Sequence, residues 1–290
     1  MSVRPRKRSA SLQPIGVFDS GLGGLTVVRQ LQRSLPHEDF VYLGDTARLP
    51  YGTKSPTAVV QFACEAAQFL MSHGVKAIVI ACNTATAWAL STLEHEFPVP
   101  IFGVVIPGAN AALKRSRNRR IGVIATPATV RSGAYRKAIL AGDQEAQVFS
   151  QACPLLVPLV EEGWQAHSVT RLVLQEYLAP LTFERIDTLV LGCTHYPLLK
   201  AAIRKVVGQR VSLVDSAASC AADVHSQLGK LSLLSARRRR GNFKAYVTDE
   251  APAFATLSAQ LLHLPPKPAT TIVLSPWKVA VPQQPQISRI

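Results

Sequence analysis

The sequence predicts an α/β protein with two related domains, each built on a mostly parallel sheet flanked by helices. Short apolar segments alternate with segments of helical periodicity, which is typical of parallel strands joined by helical crossovers. Cys82 and Cys193 each end a buried apolar strand, in segments that look like copies of each other. Gly16 precedes Cys82 by 66 residues and Gly122 precedes Cys193 by 71. Because ligands of such sheets bind beyond the carboxyl ends of the strands, a site is expected in the interdomain cleft.

The first domain begins with a buried strand at 15–18 and a glycine-rich turn. Apolar residues then recur at helical spacing from Leu25 until Pro36 stops the helix. The same criteria predict the next elements in order: a strand at 40–43, a long polar turn at 44–56, a helix at 58–72, a strand at 77–81 and a helix at 84–96.

The pattern restarts with a strand at 120–125 that echoes the first one. The following elements are a helix at 130–140, a strand at 146–150, helices at 157–163 and 169–181, and a strand at 188–191. A strand at 211–214 and a helix at 216–228 are expected to return to the first domain. The predicted divisions are a basic arm at 1–14, a first domain at 15–102 plus 214–264, a second domain at 103–213, and a Pro-rich, poorly ordered tail at 265–290.

The net charge of +14 is concentrated in three clusters that contain no acidic residue. They are formed by Arg4, Arg6, Lys7 and Arg8, by Lys114, Arg115, Arg117, Arg119 and Arg120, and by Arg237, Arg238, Arg239 and Arg240. Without their 13 charges the protein is nearly neutral. We interpret the clusters as a tail and two solvated surface loops, with contact to nucleic acid or another polyanion as the alternative.

Cysteine content and hydropathy indicate the cellular compartment of the protein. Five cysteines in 290 residues do not resemble a disulfide framework, which favours a reducing compartment. No apolar run approaches the roughly 18 residues that a membrane helix needs. The basic arm is not followed by the apolar stretch of a secretory signal. We therefore expect a cytoplasmic protein without membrane contact.

Cys82 and Cys193 are the leading candidates for chemistry, because each ends a strand beside polar side chains. Cys82 precedes a predicted helix N-terminus, where backbone N–H groups favour an anion, and His195 follows Cys193 by two residues. Two matched thiols suit a reaction that must reach one carbon centre from both faces. A zinc site would need further Cys or His at short spacing, and a cysteine hydrolase would leave the second thiol unexplained.

Polar side chains near the strand ends complete the candidate site. Asp19 could accept a proton or bind an ammonium group, with capping of the glycine turn as the alternative. The neutral hydrogen-bonding groups that suit carboxylates are Ser20, Asn83, Thr84 and Thr194. The segment Pro50-Tyr51-Gly52 could close over a ligand or form a plain turn. Glu161 and Glu162 follow an apolar stretch, and such adjacent glutamates most often face solvent.

Five motifs in order give a more specific signal than any single residue. They are VFDSGLGG at 17–24, GDTARLPYG at 44–52, ACNTA at 81–85, LGCTHYP at 191–197 and VDS at 214–216. Together they resemble the cofactor-independent aspartate/glutamate racemase superfamily, and within it the glutamate racemases, from about residue 15 to 262. The resemblance implies two α/β domains with the site between them. It also implies interconversion of L- and D-glutamate without pyridoxal phosphate or metal.

The resemblance further implies roles for individual residues. Cys82 and Cys193 match the two catalytic cysteines, with Cys82 taking the α-proton from the D isomer and Cys193 from the L isomer. Asp19 matches the carboxylate that assists Cys82. His195 and Glu161 match the groups that assist Cys193, with Glu162 as the alternative to Glu161. The segments that match substrate contacts are 19–20, 50–52, 83–84 and 194–195.

The resemblance also implies a biological setting. Glutamate racemases supply D-glutamate for bacterial peptidoglycan, are commonly homodimers, and in some members are activated by a peptidoglycan precursor. A racemase of aspartate or another acidic amino acid would use the same two thiols and differ in its preference for side-chain length. An alternative from another class is a basic nucleic-acid-associated or gyrase-inhibiting protein, which the arginine clusters keep open.

Overall fold

The computed structural model describes residues 10–262 and 268–277. Within them, two parallel sheets carry helices on their faces, which confirms the predicted fold class. Most of the predicted basic arm and of the Pro-rich tail lies outside the described residues. Among the helices of the described chain, none combines the length and apolar character needed to cross a membrane.

The first sheet has six parallel strands. In spatial order they are β10 (Thr270–Thr271), β9 (Phe243–Val247), β2 (Phe40–Gly44), β1 (Ile15–Asp19), β3 (Ala77–Ile80) and β4 (Ile101–Gly103). The whole of β1 is buried, because helices cover both faces of the sheet. Asp19 pairs with Gly44, and Phe18 pairs with Ile80. The three central strands therefore end at the same edge.

The second sheet has four parallel strands. In spatial order they are β6 (Gln147–Ala152), β5 (Arg120–Ala125), β7 (Thr188–Gly192) and β8 (Ser212–Asp215). Ala125 pairs with Gly192, so the residues that follow β5 and β7 lie side by side at one edge. Cys193 is one of these residues.

Helices, some of them capped by a side chain at the N-terminus, connect the strands along the chain. They are α1 (Leu25–Ser34), α2 (Pro56–Ser72), α3 (Asn83–Glu96), α4 (Val105–Arg115), α5 (Pro127–Ser132), α6 (Ala134–Gly142), α7 (Leu156–Glu161), α8 (Ser168–Phe183), α9 (Lys200–Val207), α10 (Ser216–Lys230) and α11 (Ala253–Leu262). At α2, the Ser55 hydroxyl accepts the Ala58 N–H over 3.2 Å and Pro56 occupies the first position. At α10, the Asp215 carboxylate accepts the Ala217 N–H over 2.9 Å.

Each sheet has an apolar core on both faces. In the first sheet, α1 and α10 pack on one face and α2 and α3 on the other. In the second sheet, α8 and α9 pack on one face and α4 and α6 on the other. The two halves are joined through α10, which contacts both α1 and α4. This packing holds the two sets of strand ends next to each other.

The strand predicted at 211–214 belongs to the second sheet and does not return to the first. β8 pairs in parallel with β7, from Thr188 opposite Ser212 to Leu191 opposite Asp215. The physical reason is that β7, α9 and β8 form a β-α-β unit, whose strands lie side by side in one sheet. The division into 15–102 plus 214–264 and 103–213 stays a prediction.

The helix predicted at 130–140 is two helices, α5 and α6. The chain turns between them at Gly133, whose φ of 64° lies in the left-handed region that glycine adopts without strain. Six further elements were not predicted from the sequence: β4, α4, α9, β9, α11 and β10. In α4, Pro107 and Gly108 interrupt the pattern that a helix usually shows.

The described part of the tail, 268–277, is packed on the first sheet. β10 pairs with β9, and the Trp277 ring lies 5.4 Å from the Phe97 ring between centroids. Ile272 and Leu274 pack against the apolar core that α2 and α3 form on one face of the first sheet. The expectation of a poorly ordered tail is therefore wrong for these residues, because their apolar side chains outweigh the Pro-rich composition.

Acidic partners neutralise part of two basic clusters. Arg237 and Arg239 both contact Asp39, and Arg119 contacts Asp143 over 2.9 Å. These ion pairs reduce the charge that would be available to a polyanion. The prediction of a surface loop is wrong for part of one cluster, because Lys114 and Arg115 end α4 and Arg120 begins β5.

Candidate active site

The two sheets meet where β1 and β7 end. The Thr194 hydroxyl, one residue after Cys193, lies 3.4 Å from Asp19 Oδ1 and donates to it. The Thr26 hydroxyl donates to the Thr194 carbonyl over 2.9 Å. The contact is so close that a Cβ at Gly23 would lie 2.5 Å from Thr194 Oγ1, so this position requires glycine. The side chains that follow the two strands therefore share one cleft.

Cys82 caps the N-terminus of α3 and faces Ser20. Its sulfur accepts the Ala85 N–H over 3.5 Å and lies 3.7 Å from Ser20 Oγ. Burial raises the pKa of the Cys82 thiol to about 12, and the nearby Asp19 carboxylate adds to the rise. At neutral pH, Cys82 is therefore a protonated thiol that can give up a proton to an acceptor in the cleft.

Asp19 is fully buried at the end of β1. Its Oδ2 accepts the N–H groups of Gly21 over 3.1 Å and Gly24 over 2.9 Å, so it does cap the glycine turn. Burial raises the pKa of Asp19, while the charge of His195 and the backbone donors oppose that rise. The turn-capping and functional interpretations of Asp19 are thus compatible, because the same carboxylate reaches both the turn and the cleft.

Cys193, His195 and Glu161 form a chain of contacts in the cleft. Cys193 Sγ lies 3.9 Å from His195 Nδ1, and His195 Nε2 lies 3.2 Å from Glu161 Oε1. The structure places Glu161, the last residue of α7, against the imidazole. A zinc ion held by Cys193 and His195 would have to break this chain, because both ring nitrogens already have partners.

The neighbours of His195 keep its imidazole charged. Burial alone would lower the pKa of His195, but hydrogen bonds to Cys193 and Glu161 and the charge of Asp19 raise it to about 10. At neutral pH the imidazolium donates from both nitrogens. It can stabilise the negative charge that appears on the Cys193 sulfur when this thiol releases its proton.

We expect the stabilisation from His195 to be lost as the pH rises. The folded protein retains a proton that the unfolded chain releases near pH 6.5, so the contribution is complete below pH 6.5 and disappears towards about pH 10. The melting temperatures of the wild type and of His195→Gln, measured from pH 6.5 to 10, should therefore converge. His225→Gln, at an exposed histidine, is the matched control. A gap that stays constant over this range would show that His195 is uncharged in the folded protein.

The segment 50–52 bridges the two sheets. Tyr51 is buried, and its hydroxyl donates to the carboxylate of Asp45, which also accepts a hydroxyl from the end of β9. Gly52 faces Thr126, and a Cβ at Gly52 would lie 2.7 Å from the Thr126 Cβ. Pro50 is exposed. The Tyr51 hydroxyl therefore anchors the segment, while Gly52 allows it to approach the second sheet.

Asn83 and Thr84 open α3 beside Cys82. Thr84 Oγ1 lies 2.9 Å from both Thr126 Oγ1 and Thr129 Oγ1, so this hydroxyl is engaged by the second half. Asn83 Oδ1 accepts the Tyr135 hydroxyl over 2.7 Å. The Asn83 Nδ2 atom is buried and has no hydrogen-bond partner among the described residues. A buried donor of this kind costs about 1–3 kcal/mol, which a ligand carboxylate would offset.

Three residues of this region were not among the candidates predicted from the sequence: Thr126, Thr129 and Tyr135. Alignment of the two halves at the glycines of their first strands places Thr126 opposite Ser20, and this internal repeat was the available signal. Tyr135 lies within a helical pattern and carries no such signal. Its importance depends on the turn between α5 and α6.

The chain is similar to known proteins over most of its length. The family described as Asp/Glu/Hydantoin racemase matches residues 15–224. The glutamate racemase of Syntrophus aciditrophicus (strain SB) is 49% identical over 256 residues, which cover 88% of this chain and 95% of that protein.

Two solved structures are also similar. The glutamate racemase from Francisella tularensis subsp. tularensis SCHU S4, in complex with D-glutamate, is 38% identical with a TM-score of 0.83, and the match covers 91% of this chain and 98% of that one. The Escherichia coli glutamate racemase, in complex with L-glutamate and the activator UDP-MurNAc-Ala, is 29% identical with a TM-score of 0.69, over 87% and 94% of the two chains.

The matched range includes the three strand ends that carry Asp19, Cys82 and Cys193. The resemblance seen in the sequence motifs is thereby confirmed. The chain belongs to the Asp/Glu/hydantoin racemase family and is an amino-acid racemase, an isomerase.

Proposed function

We propose that the chain is a glutamate racemase that moves the α-proton with Cys82 and Cys193. The observation that carries the proposal is the arrangement of these two thiols around Asp19, at equivalent strand ends of two sheets. The charge of Asp19 acts both on Cys82 and on His195, the partner of Cys193. The relatives that match most of the chain are glutamate racemases, which supports glutamate as the substrate.

Two bases explain why two thiols are needed. The enantiomers of glutamate differ in the face of the α-carbon that bears the hydrogen. A single base would have to cross the planar carbanion, whereas one base on each face avoids this movement. In the proposed reaction from L-glutamate, the Cys193 thiolate takes the α-proton and the Cys82 thiol donates its own proton to the opposite face. The reaction from D-glutamate exchanges these roles.

The charged residues beside each thiol are consistent with these two roles. The His195 imidazolium, held by Glu161, stabilises Cys193 as an anion. In the reaction from L-glutamate, burial and Asp19 keep the proton on Cys82 until the carbanion forms. The reaction from D-glutamate starts from the Cys82 thiolate that this step leaves. Because the α-hydrogen is very weakly acidic, the carbanion also needs hydrogen bonds and exclusion of water, which the buried cleft supplies.

We assign the binding of the substrate to hydrogen-bond donors for its carboxylates and to one protein carboxylate for its ammonium group, all at the strand ends. The unpartnered Asn83 Nδ2 is a donor for a substrate carboxylate. The Ser20 hydroxyl accepts a hydrogen bond from the Cys82 thiol, so its own proton is available to the ligand. Thr194 lies on the other side of Asp19 in the same cleft. Asp19 is the partner for the ammonium group. In this proposal, the segment 50–52 closes the cleft.

The proposed biological role is the supply of D-glutamate for peptidoglycan. The family resemblance implies this role, together with activation by a peptidoglycan precursor in some members. The E. coli relative is similar over most of this chain and was solved with the activator UDP-MurNAc-Ala, which supports an activator of the same kind for this chain. The five free cysteines support a cytoplasmic location. The proposal of a homodimer rests on the family resemblance.

The function is tested by incubating the purified protein with L-glutamate in deuterated water, without pyridoxal phosphate. We expect optical rotation to decline as the α-proton NMR signal disappears, because each inversion introduces solvent deuterium. L-Aspartate in a parallel sample separates glutamate racemase from aspartate racemase. If a folded sample changes neither amino acid, even with UDP-MurNAc-Ala present, the proposal is wrong. Salt-sensitive DNA binding that survives loss of both thiols would then support the nucleic-acid alternative.

A further inference from the structure

Tyr135 contacts a neighbouring residue of each of the two thiols, Asn83 after Cys82 and Gly192 before Cys193. It lies in the first turn of α6 and is 3% exposed. Its hydroxyl bonds Asn83, the residue after Cys82, over 2.7 Å. On the opposite side, a Cβ at Gly192 would lie 3.0 Å from Tyr135 Cε2, so the ring packs directly against the residue before Cys193.

The turn at Gly133 makes this position possible. α5 ends and α6 begins at Gly133, whose left-handed conformation changes the direction of the chain. A continuous helix would carry Tyr135 elsewhere on its surface. The break therefore directs the Tyr135 ring into the space between the two strand ends.

The hydroxyl of Tyr135 determines how the Asn83 amide is used. Burial raises the pKa of Tyr135 above its usual range, so the phenol keeps its proton and donates it. Asn83 Oδ1 is the acceptor, which leaves the Nδ2 group as the donor without a partner among the described residues. The Tyr135 hydroxyl is therefore the donor that fixes the position of the Asn83 oxygen and, with it, that of the NH2 group.

We propose that Tyr135 is a positioning residue that holds the Asn83 amide with its NH2 group towards the substrate carboxylate and packs the Gly192–Cys193 backbone against the same cleft. The substrate in this inference rests on the proposed function. Tyr135 acts through Asn83 and does not touch the reacting atoms. Its ring and its hydroxyl therefore have separable effects.

The test is a double-mutant cycle of Tyr135→Phe and Asn83→Ala, with KM and kcat measured for both enantiomers of glutamate. Tyr135→Phe keeps the ring against Gly192 and removes only the hydroxyl, so we expect KM to rise about tenfold with a smaller change in kcat. Asn83→Ala should raise KM at least as much. Tyr135→Phe added to Asn83→Ala should then change KM by less than about twofold, because the group that it orients is absent.

A general structural role would give a different pattern. The two effects on KM would multiply, and the double variant would be worse than either single one. Tyr246→Phe is the matched control, since this tyrosine packs on Phe69 and His73 in the first sheet. It should leave KM and kcat unchanged.

The contact can also be followed without a substrate. The chain has four asparagines, so 15N-asparagine labelling gives four side-chain amide signals, and Asn83→Ala assigns the one of interest. We expect Tyr135→Phe, but not Tyr246→Phe, to shift the Asn83 amide signal and to speed its hydrogen exchange. If the wild type fails to racemise glutamate, the proposed function is wrong, while these signals still test the Tyr135 contact. An unchanged Asn83 signal, or multiplying KM effects, would overturn the inference.

Discussion

Replacement of Cys82 by serine is expected to slow racemisation by at least about a thousandfold in both directions. A serine hydroxyl is a far weaker acid than a thiol, so it neither gives up a proton to the carbanion nor holds the charge of the base. The fold should be retained, because serine is a favourable N-cap and can accept the Ala85 N–H as the Cys82 sulfur does. The measurement is the rate of change of optical rotation from each enantiomer.

Cys64→Ser is the matched control for this substitution. Cys64 is also fully buried, but it lies in α2 within the apolar core of the first sheet. We expect Cys64→Ser to lower the melting temperature and to keep kcat within a few-fold of the wild type. Near-normal turnover by Cys82→Ser would remove Cys82 from the proposed mechanism.

Replacement of Asp19 by asparagine is expected to lower kcat by about a hundredfold to a thousandfold. The change keeps the shape of the side chain and removes the negative charge that acts on Cys82 and on His195. One Asn oxygen can still accept from the glycine turn, where Asp19 now accepts from Gly21 and Gly24. The loss should therefore appear in kcat and, because Asp19 is also the proposed partner of the substrate ammonium group, in KM as well, in steady-state assays from both enantiomers.

Asp187→Asn controls for the loss of a carboxylate that binds backbone N–H groups. Asp187 accepts the N–H groups of Arg117 over 2.6 Å and Asn118 over 2.8 Å, at the opposite end of the second sheet from Cys193. We expect this variant to lose stability but to keep its kcat. If Asp19→Asn behaves in the same way, Asp19 only caps its turn and has no part in proton transfer.

The sequence predicted the parts of this protein that depend on local pattern. The apolar runs before Cys82 and Cys193 indicated two strands, and the repeat of spacing indicated two related halves. The carboxyl ends of parallel strands share one edge of a sheet, so the strand that ends at Asp19 could be placed at the candidate site. Residues whose neighbours lie nearby in sequence, such as the Cys193–His195 pair, were recognised for the same reason.

The placement of β8 could not be predicted in this way. Its sequence reads as a buried strand, and burial alone does not distinguish a place in the first sheet from one in the second. Pairing with β7 is decided by the crossover through α9 and by packing against α4. The order of the tail at 268–277 likewise depends on a surface around Phe97 that distant parts of the chain create.

By itself, the sequence determined the two-domain α/β class, the strand ends that carry Asp19, Cys82 and Cys193, and the family. These properties depend on short-range periodicity and on motifs, which are present in the linear chain. Only the tertiary structure decided that Glu161 faces His195 and that Tyr135 reaches Asn83. Such contacts join residues 34 and 52 positions apart, and they exist only after helix packing has brought those side chains together.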